Sequence, residues 1–93
     1  MIQIKDNHLF RGSDEIGKIA DEGIYDHTGK RLGYFRDNHV YDHEGRELAW
    51  VDGNRVKFPH DSHTLRLEDI QEKIIGGPFS DLARVAVKML LGD

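Results

Sequence analysis

Apolar positions recur along this chain at a fixed interval. Ile19, Phe35, Val51 and Leu67 stand sixteen residues apart, and Ile16, Leu32 and Leu48 form a second column with the same spacing. The segments between them repeat too: Gly23-Ile24-Tyr25-Asp26-His27-Thr28-Gly29 is followed, one interval later, by His39-Val40-Tyr41-Asp42-His43-Glu44-Gly45. Self-similarity at a fixed period marks repeated structural units, and four members of one column imply four units. The first copy, around Asp6-Asn7-His8-Leu9-Phe10, is one residue shorter. The last has drifted most, running through Pro59-His60-Asp61-Ser62-His63 before Thr64-Leu65-Arg66-Leu67.

Each unit reads as a β-hairpin. Asp26 and Asp42 open a turn, and Gly29 and Gly45 stand where it needs positive φ, the signature of a three-to-five-residue hairpin loop with a bulge. Asp37-Asn38 and Asp52-Gly53 are candidates for two-residue connections between units, since these residue types tolerate the left-handed conformation. Alternation within Leu32-Gly33-Tyr34-Phe35 and Leu48-Ala49-Trp50-Val51 puts Leu and the aromatic on one face, and the small residue with Phe35 or Val51 on the other. The face with Gly17, Gly33 and Ala49 is the expected common core. The face with Leu32, Tyr34, Leu48 and Trp50 is expected to need cover from the tail or from another subunit. Ile2-Gln3-Ile4 resembles the return strand Gly17-Lys18-Ile19. Whether it pairs with the last unit and shuts the ring is open at this point.

Beyond Leu67 the period changes. Leu67, Ile70 and Ile74, with Glu68 and Asp69 in the first turn and Gly76-Gly77 behind, predict a two-turn helix. Ser80-Asp81 caps a second helix with Leu82, Val85, Ala86, Met89 and Leu90 on one stripe, ending at Gly92. The fold class is therefore mainly β with a C-terminal α part: four sixteen-residue hairpins in an antiparallel meander, flower- or propeller-like, over residues 1–67, then one or two short helices in a tail over 68–93. At 93 residues this is a single domain.

The residues Ile24-Tyr25-Asp26-x-x-Gly29 with Leu32-Gly33-Tyr34, and Val40-Tyr41-Asp42-x-x-Gly45 with Leu48-Ala49-Trp50, resemble the bacterial 4-fold beta flower proteins. The resemblance covers about residues 2 to 67. It implies four hairpin petals and no particular activity, so no functional residue is carried over from it.

Charge and composition narrow the function classes. A net charge of −4 offers no long-range attraction to phosphate backbones or anionic lipid, so nucleic acid and membrane are not expected partners. There is no cysteine, which removes disulfides, thiolate metal sites and cysteine nucleophiles. Charged residues appear within the first six positions and no segment reaches spanning length, which points to a cytoplasmic protein. No phosphate loop, dinucleotide fingerprint or nucleophile elbow occurs, which argues against the common enzyme classes, and nothing calls for a cofactor.

Three groups carry candidate chemistry. Tyr25, Tyr34, Tyr41 and Trp50 are candidates for a ligand-stacking surface, against sheet packing as the commoner use of such rings. Six histidines are unusual in 93 residues; His60 and His63 in one loop, and His27 and His43 at equivalent turns, are candidate metal ligands, against solvated turns. Leu82, Val85, Met89 and Leu90 are candidate interface residues. The expectation is a non-enzymatic binding or protein-interaction module that self-associates, with a small metal-dependent sensor or enzyme using the histidines as the alternative.

Overall fold

The computed structural model describes residues 1–92. Nine strands follow one another in a meander: β1 (Ile2–Lys5), β2 (His8–Arg11), β3 (Asp14–Ala20), β4 (Gly23–Asp26), β5 (Arg31–Arg36), β6 (His39–Asp42), β7 (Glu47–Asp52), β8 (Arg55–Phe58) and β9 (Asp61–Arg66). Helix α1 (Leu67–Lys73), a short strand β10 (Ile74–Gly76) and helix α2 (Asp81–Leu91) complete the chain. Strands β2 to β9 make the four expected hairpins, and residues 23–51 contain strand and turn only.

The repeat has a backbone signature. The amides of Ile19, Phe35, Val51 and Leu67 donate to the carbonyls of Asn7, Glu22, Asn38 and Asn54 at 2.8–2.9 Å. One apolar column thus ties each unit to the turn that began it. Those turns are left-handed, with positive φ at Asp6, Asp21, Asp37, Asn38 and Gly53. The fourth connection is Gly53-Asn54, one residue later than the sequence suggests, because Asp52 still pairs with Arg55 in the ladder.

The tips obey a different symmetry. In the second hairpin the Asp26 carboxylate accepts from the Thr28 and Lys30 amides at 2.9 and 3.0 Å. In the third, Asp42 accepts from Glu44 and Arg46 at the same two distances. Gly29 and Gly45, at φ 90° and 84°, close these loops. The first and fourth hairpins instead turn in two residues, Gly12-Ser13 and Pro59-His60.

Cross-strand register builds the core. Ile4 faces Leu9, Ile19 faces Ile24, Phe35 faces Val40 and Val51 faces Val56. On their other side Leu9, Ile24 and Val40 face Gly17, Gly33 and Ala49. A Cβ on Gly33 would collide with the Tyr41 carbonyl oxygen and stand 2.8 Å from a Leu90 methyl, so this column is small because the next strand and α2 close on it. The first three hairpins each carry a bulge whose extra residue is Ile16, Leu32 or Leu48. A bulge turns its residue off the strict alternation and increases local twist. Ile16 and Leu48 accordingly pack against the core, which corrects the assignment of Leu48 to the outer face beside Trp50.

The tail covers the inner face of the sheet, where the sequence left open that it would cover the outer one. Leu90 and Leu91 of α2 reach Gly33 and Gly17, and Ala83, Val85, Ala86 and Val87 are buried. No residue of α2 is exposed. Ser80 accepts from the Ala83 amide and Gly92 ends the helix, as expected. The tail is not wholly helical, however. Ile74 and Ile75 leave α1 and pair in parallel with β1, Ile2 opposite Ile74 and Ile4 opposite Gly76. β-branched residues suit a strand, and Gly76 and Gly77, both at positive φ, end it.

This arrangement answers the closure question. β1 pairs with β10 and not with the fourth hairpin, so β9 and β10 are the two edges of the ten-stranded sheet. Seven-residue α1, about 10 Å long at 1.5 Å per residue, bridges them. The sheet therefore curls almost onto itself around α2.

Candidate functional site

With the inner face filled, the surface chemistry lies on the outer face of the second and third hairpins. Alternation places Tyr25, Tyr34, His39, Tyr41, Glu47 and Trp50 there, on β4 to β7. Tyr34 and Tyr41 are directly opposed and stack at 4.9 Å between ring centres. His39 and Trp50, also opposed, lie 6.4 Å apart, and His39 stands 6.2 Å from Tyr41. Tyr34, Tyr41, His39 and Trp50 thus form one continuous ladder. Cations flank the rings: Arg31 sits 4.9 Å from the Tyr34 ring and Lys18 5.8 Å from that of Tyr25, within cation–π range. All four large rings are half-buried.

His39 is fixed from the side by the Glu47 carboxylate, which contacts Nδ1. The first unit repeats the pairing: His8 Nδ1, shielded from solvent, lies 2.8 Å from Glu15 Oε1, close enough for an ion pair but too bent for a hydrogen bond. Neither His–Glu pair was evident from the sequence alone. The available signal was the repeat itself, which puts Glu15 and Glu47 immediately before Ile16 and Leu48.

The carboxyl groups of Asp26 and Asp42 have displaced pKa values, and both belong to turns. Asp26 is held below the usual 3.8, first by the hydrogen bond from the Thr28 hydroxyl and then by the Lys30 and Thr28 amides, against partial desolvation. At Asp42 desolvation opposes ionisation but is outweighed by the Arg46 and Glu44 amides and the Arg46 guanidinium, so its pKa is lowered too. Their task is to hold the hairpin tips.

The other candidate residues are dispersed. His27 and His43 are exposed at the tips of different petals, with His43 Nε2 3.6 Å from Glu44. His60 and His63 are exposed around the last turn, where the His63 amide donates to Asp61 at 2.9 Å. His60 borders a shallow groove with Asp42, Arg46, Glu47, Leu48 and Pro59. Among the described residues, no three His, Asp or Glu side chains converge as a metal site would require. Of the helical stripe, Val85 is fully buried, while Leu82, Met89 and Leu90 are half-buried against the core. Among the described residues no helix is long and apolar enough to cross a membrane.

No curated protein and no solved structure matches the chain. The sequence profile of the 4-fold beta flower proteins does match, over residues 2–78, which takes in the four hairpins, α1 and β10. With four hairpins tied by one repeated hydrogen bond and a match across most of its length, the chain belongs to the 4-fold beta flower protein family.

Proposed function

We propose that this chain is a non-enzymatic binding module that associates with a second copy of itself through the outer face of its second and third hairpins. The observation that carries the reading is the Tyr34–Tyr41–His39–Trp50 ladder. Rigid aromatic side chains supply large contact area at low entropic cost, which is why they concentrate at interface centres. The helical stripe packs against the core, Val85 fully and Leu82, Met89 and Leu90 in part, which favours the aromatic ladder as the contact surface. It also carries both signs of charge: Lys18 and Arg31 lie over the Tyr25 and Tyr34 rings, Lys57 is opposite Trp50, and Glu47 contacts His39. A two-fold contact brings one surface against itself, so a face bearing both signs can satisfy its own charges.

The test is a light-scattering measurement across a concentration series, comparing the chain with the double variant Tyr34→Thr/Tyr41→Thr. Threonine keeps the strand preference while removing the rings. The wild type should rise from the 10.7 kDa monomer toward twice that mass, and the variant should stay monomeric with an unchanged circular dichroism spectrum. Trp50 is the only tryptophan, so its emission should move to shorter wavelength as the wild type associates. A wild type that stays monomeric at millimolar concentration, or a variant that associates equally well, removes the proposal.

A further inference from the structure

The fourth hairpin departs from its siblings in one cross-strand pair. Where the second unit opposes Gly23 with Tyr34 and the third opposes His39 with Trp50, the fourth opposes Arg55 with Arg66. Like charges directly opposite on a sheet repel, and the carboxylates nearby do not cancel them evenly. Glu68 pairs with Arg66. Asp52, which faces Arg55 across the other ladder, sends its carboxylate to Lys57 Nζ at 2.7 Å. The Arg55 guanidinium has no ion pair and no hydrogen bond among the described residues. An acidic chain therefore holds an uncompensated cation beside a half-compensated one.

The two arginines open onto a groove of about 420 Å³ lined also by Asn54, Leu67, Glu68 and Gln71. Its size is that of a small-ligand site. Gln71 is anchored by its amide, which donates to Asp81 at 3.0 Å, and Leu67 is buried by the core, so the floor is set by packed elements. We propose that this groove binds a small phosphate monoester, with Arg55 and Arg66 gripping the phosphate. Planar guanidinium groups make paired, charge-assisted hydrogen bonds to such oxyanions. A single carboxylate would be matched by Arg55 alone, whereas a dianion uses both arginines by displacing Glu68 from Arg66.

The test is an NMR titration of the arginine Nε–Hε signals at about pH 8, where phosphate is doubly charged. Inorganic phosphate and glycerol 3-phosphate are the probes, and acetate is the singly charged comparison. Both phosphates should give a saturable shift of Arg55 and Arg66, with acetate weaker by about tenfold or more, the ratio equivalent to 1.4 kcal/mol. Arg55→Gln should weaken phosphate binding at least as much, Glu68→Gln should strengthen it several-fold, and Arg46→Gln, outside the groove, should leave it unchanged. Shifts that never saturate, acetate binding as tightly as phosphate, or a Glu68→Gln variant no tighter than wild type would overturn the assignment.

Discussion

Replacing Gly33 by Ala tests the crowding at the small column. The added Cβ would stand 2.8 and 2.9 Å from the two Leu90 methyl carbons and collide with the Tyr41 carbonyl oxygen, against 3.4–4 Å for ordinary contact. Leu90 ends a flexible side chain and can rotate. The Tyr41 carbonyl cannot yield so cheaply, because it belongs to a strand paired on both sides, to Tyr34 and to Glu47. Overpacking of this kind costs about 1–3 kcal/mol, and a conflict with backbone belongs at the upper end. At roughly 4–8 °C per kcal/mol for a chain of this size, a loss near 3 kcal/mol lowers Tm by roughly 12–24 °C. Thermal melts followed by circular dichroism read this directly. Gly33→Ala/Leu90→Ala should give no recovery, since it relieves the side-chain conflict and leaves the backbone one. Ala49→Gly, at the equivalent position, adds backbone freedom and removes one methyl, a loss of about 1–2 kcal/mol. A Gly33→Ala protein melting within 2 °C of wild type, or one rescued by Leu90→Ala, would refute the reasoning.

Asp26 and Asp42 have folded pKa values below 3.8, so near that pH the folded state binds fewer protons than the unfolded one. Their contribution is therefore complete above the unfolded pKa and lost as pH falls through the folded one. Melts of Asp26→Asn/Asp42→Asn between about pH 5 and pH 2 should show a flatter acid limb than wild type, and an identical limb would contradict the turn-capping role. Arg84 donates from α2 to the carbonyls of Ile74, Gly76 and Gly77 at 2.8, 2.7 and 3.1 Å. Arg84→Met should cost about 2–3 kcal/mol in urea unfolding, with amide exchange accelerated first at residues 74–77, because charge-assisted bonds to backbone are lost on a partly exposed surface.

How much of this was legible in the sequence depends on how local each cause was. The hairpin tips were readable because Asp26, Asp42, Gly29 and Gly45 act within their own loops. Ser80 and Gly92 were readable for the same reason. The column Ile19, Phe35, Val51 and Leu67 emerged because four copies of one weak signal reinforce one another. The strand fate of Ile74 and Ile75 was hidden, since their partner Ile2-Gln3-Ile4 lies at the far end of the chain while the local pattern continues the helix. The direction of Leu48 was lost to a bulge, which breaks the alternation used to assign faces. At the candidate site, the aromatic residues were named but the ladder was not: Tyr34 against Tyr41 and His39 against Trp50 are consequences of cross-strand register. The arginine pair escaped because Arg55 and Arg66 look like separate surface charges until β8 and β9 are aligned.

Native-state hydrogen exchange at four amides tests the central claim most directly. Ile19, Phe35, Val51 and Leu67 are donors in the same bond, each to the turn that opens its unit, and their side chains join one core. If the repeat is one cooperative unit, these amides exchange only through global opening, with equal protection free energies that match the unfolding free energy from denaturant. Rapid exchange at any of the four, or protection falling from one hairpin to the next, would contradict a single cooperative flower.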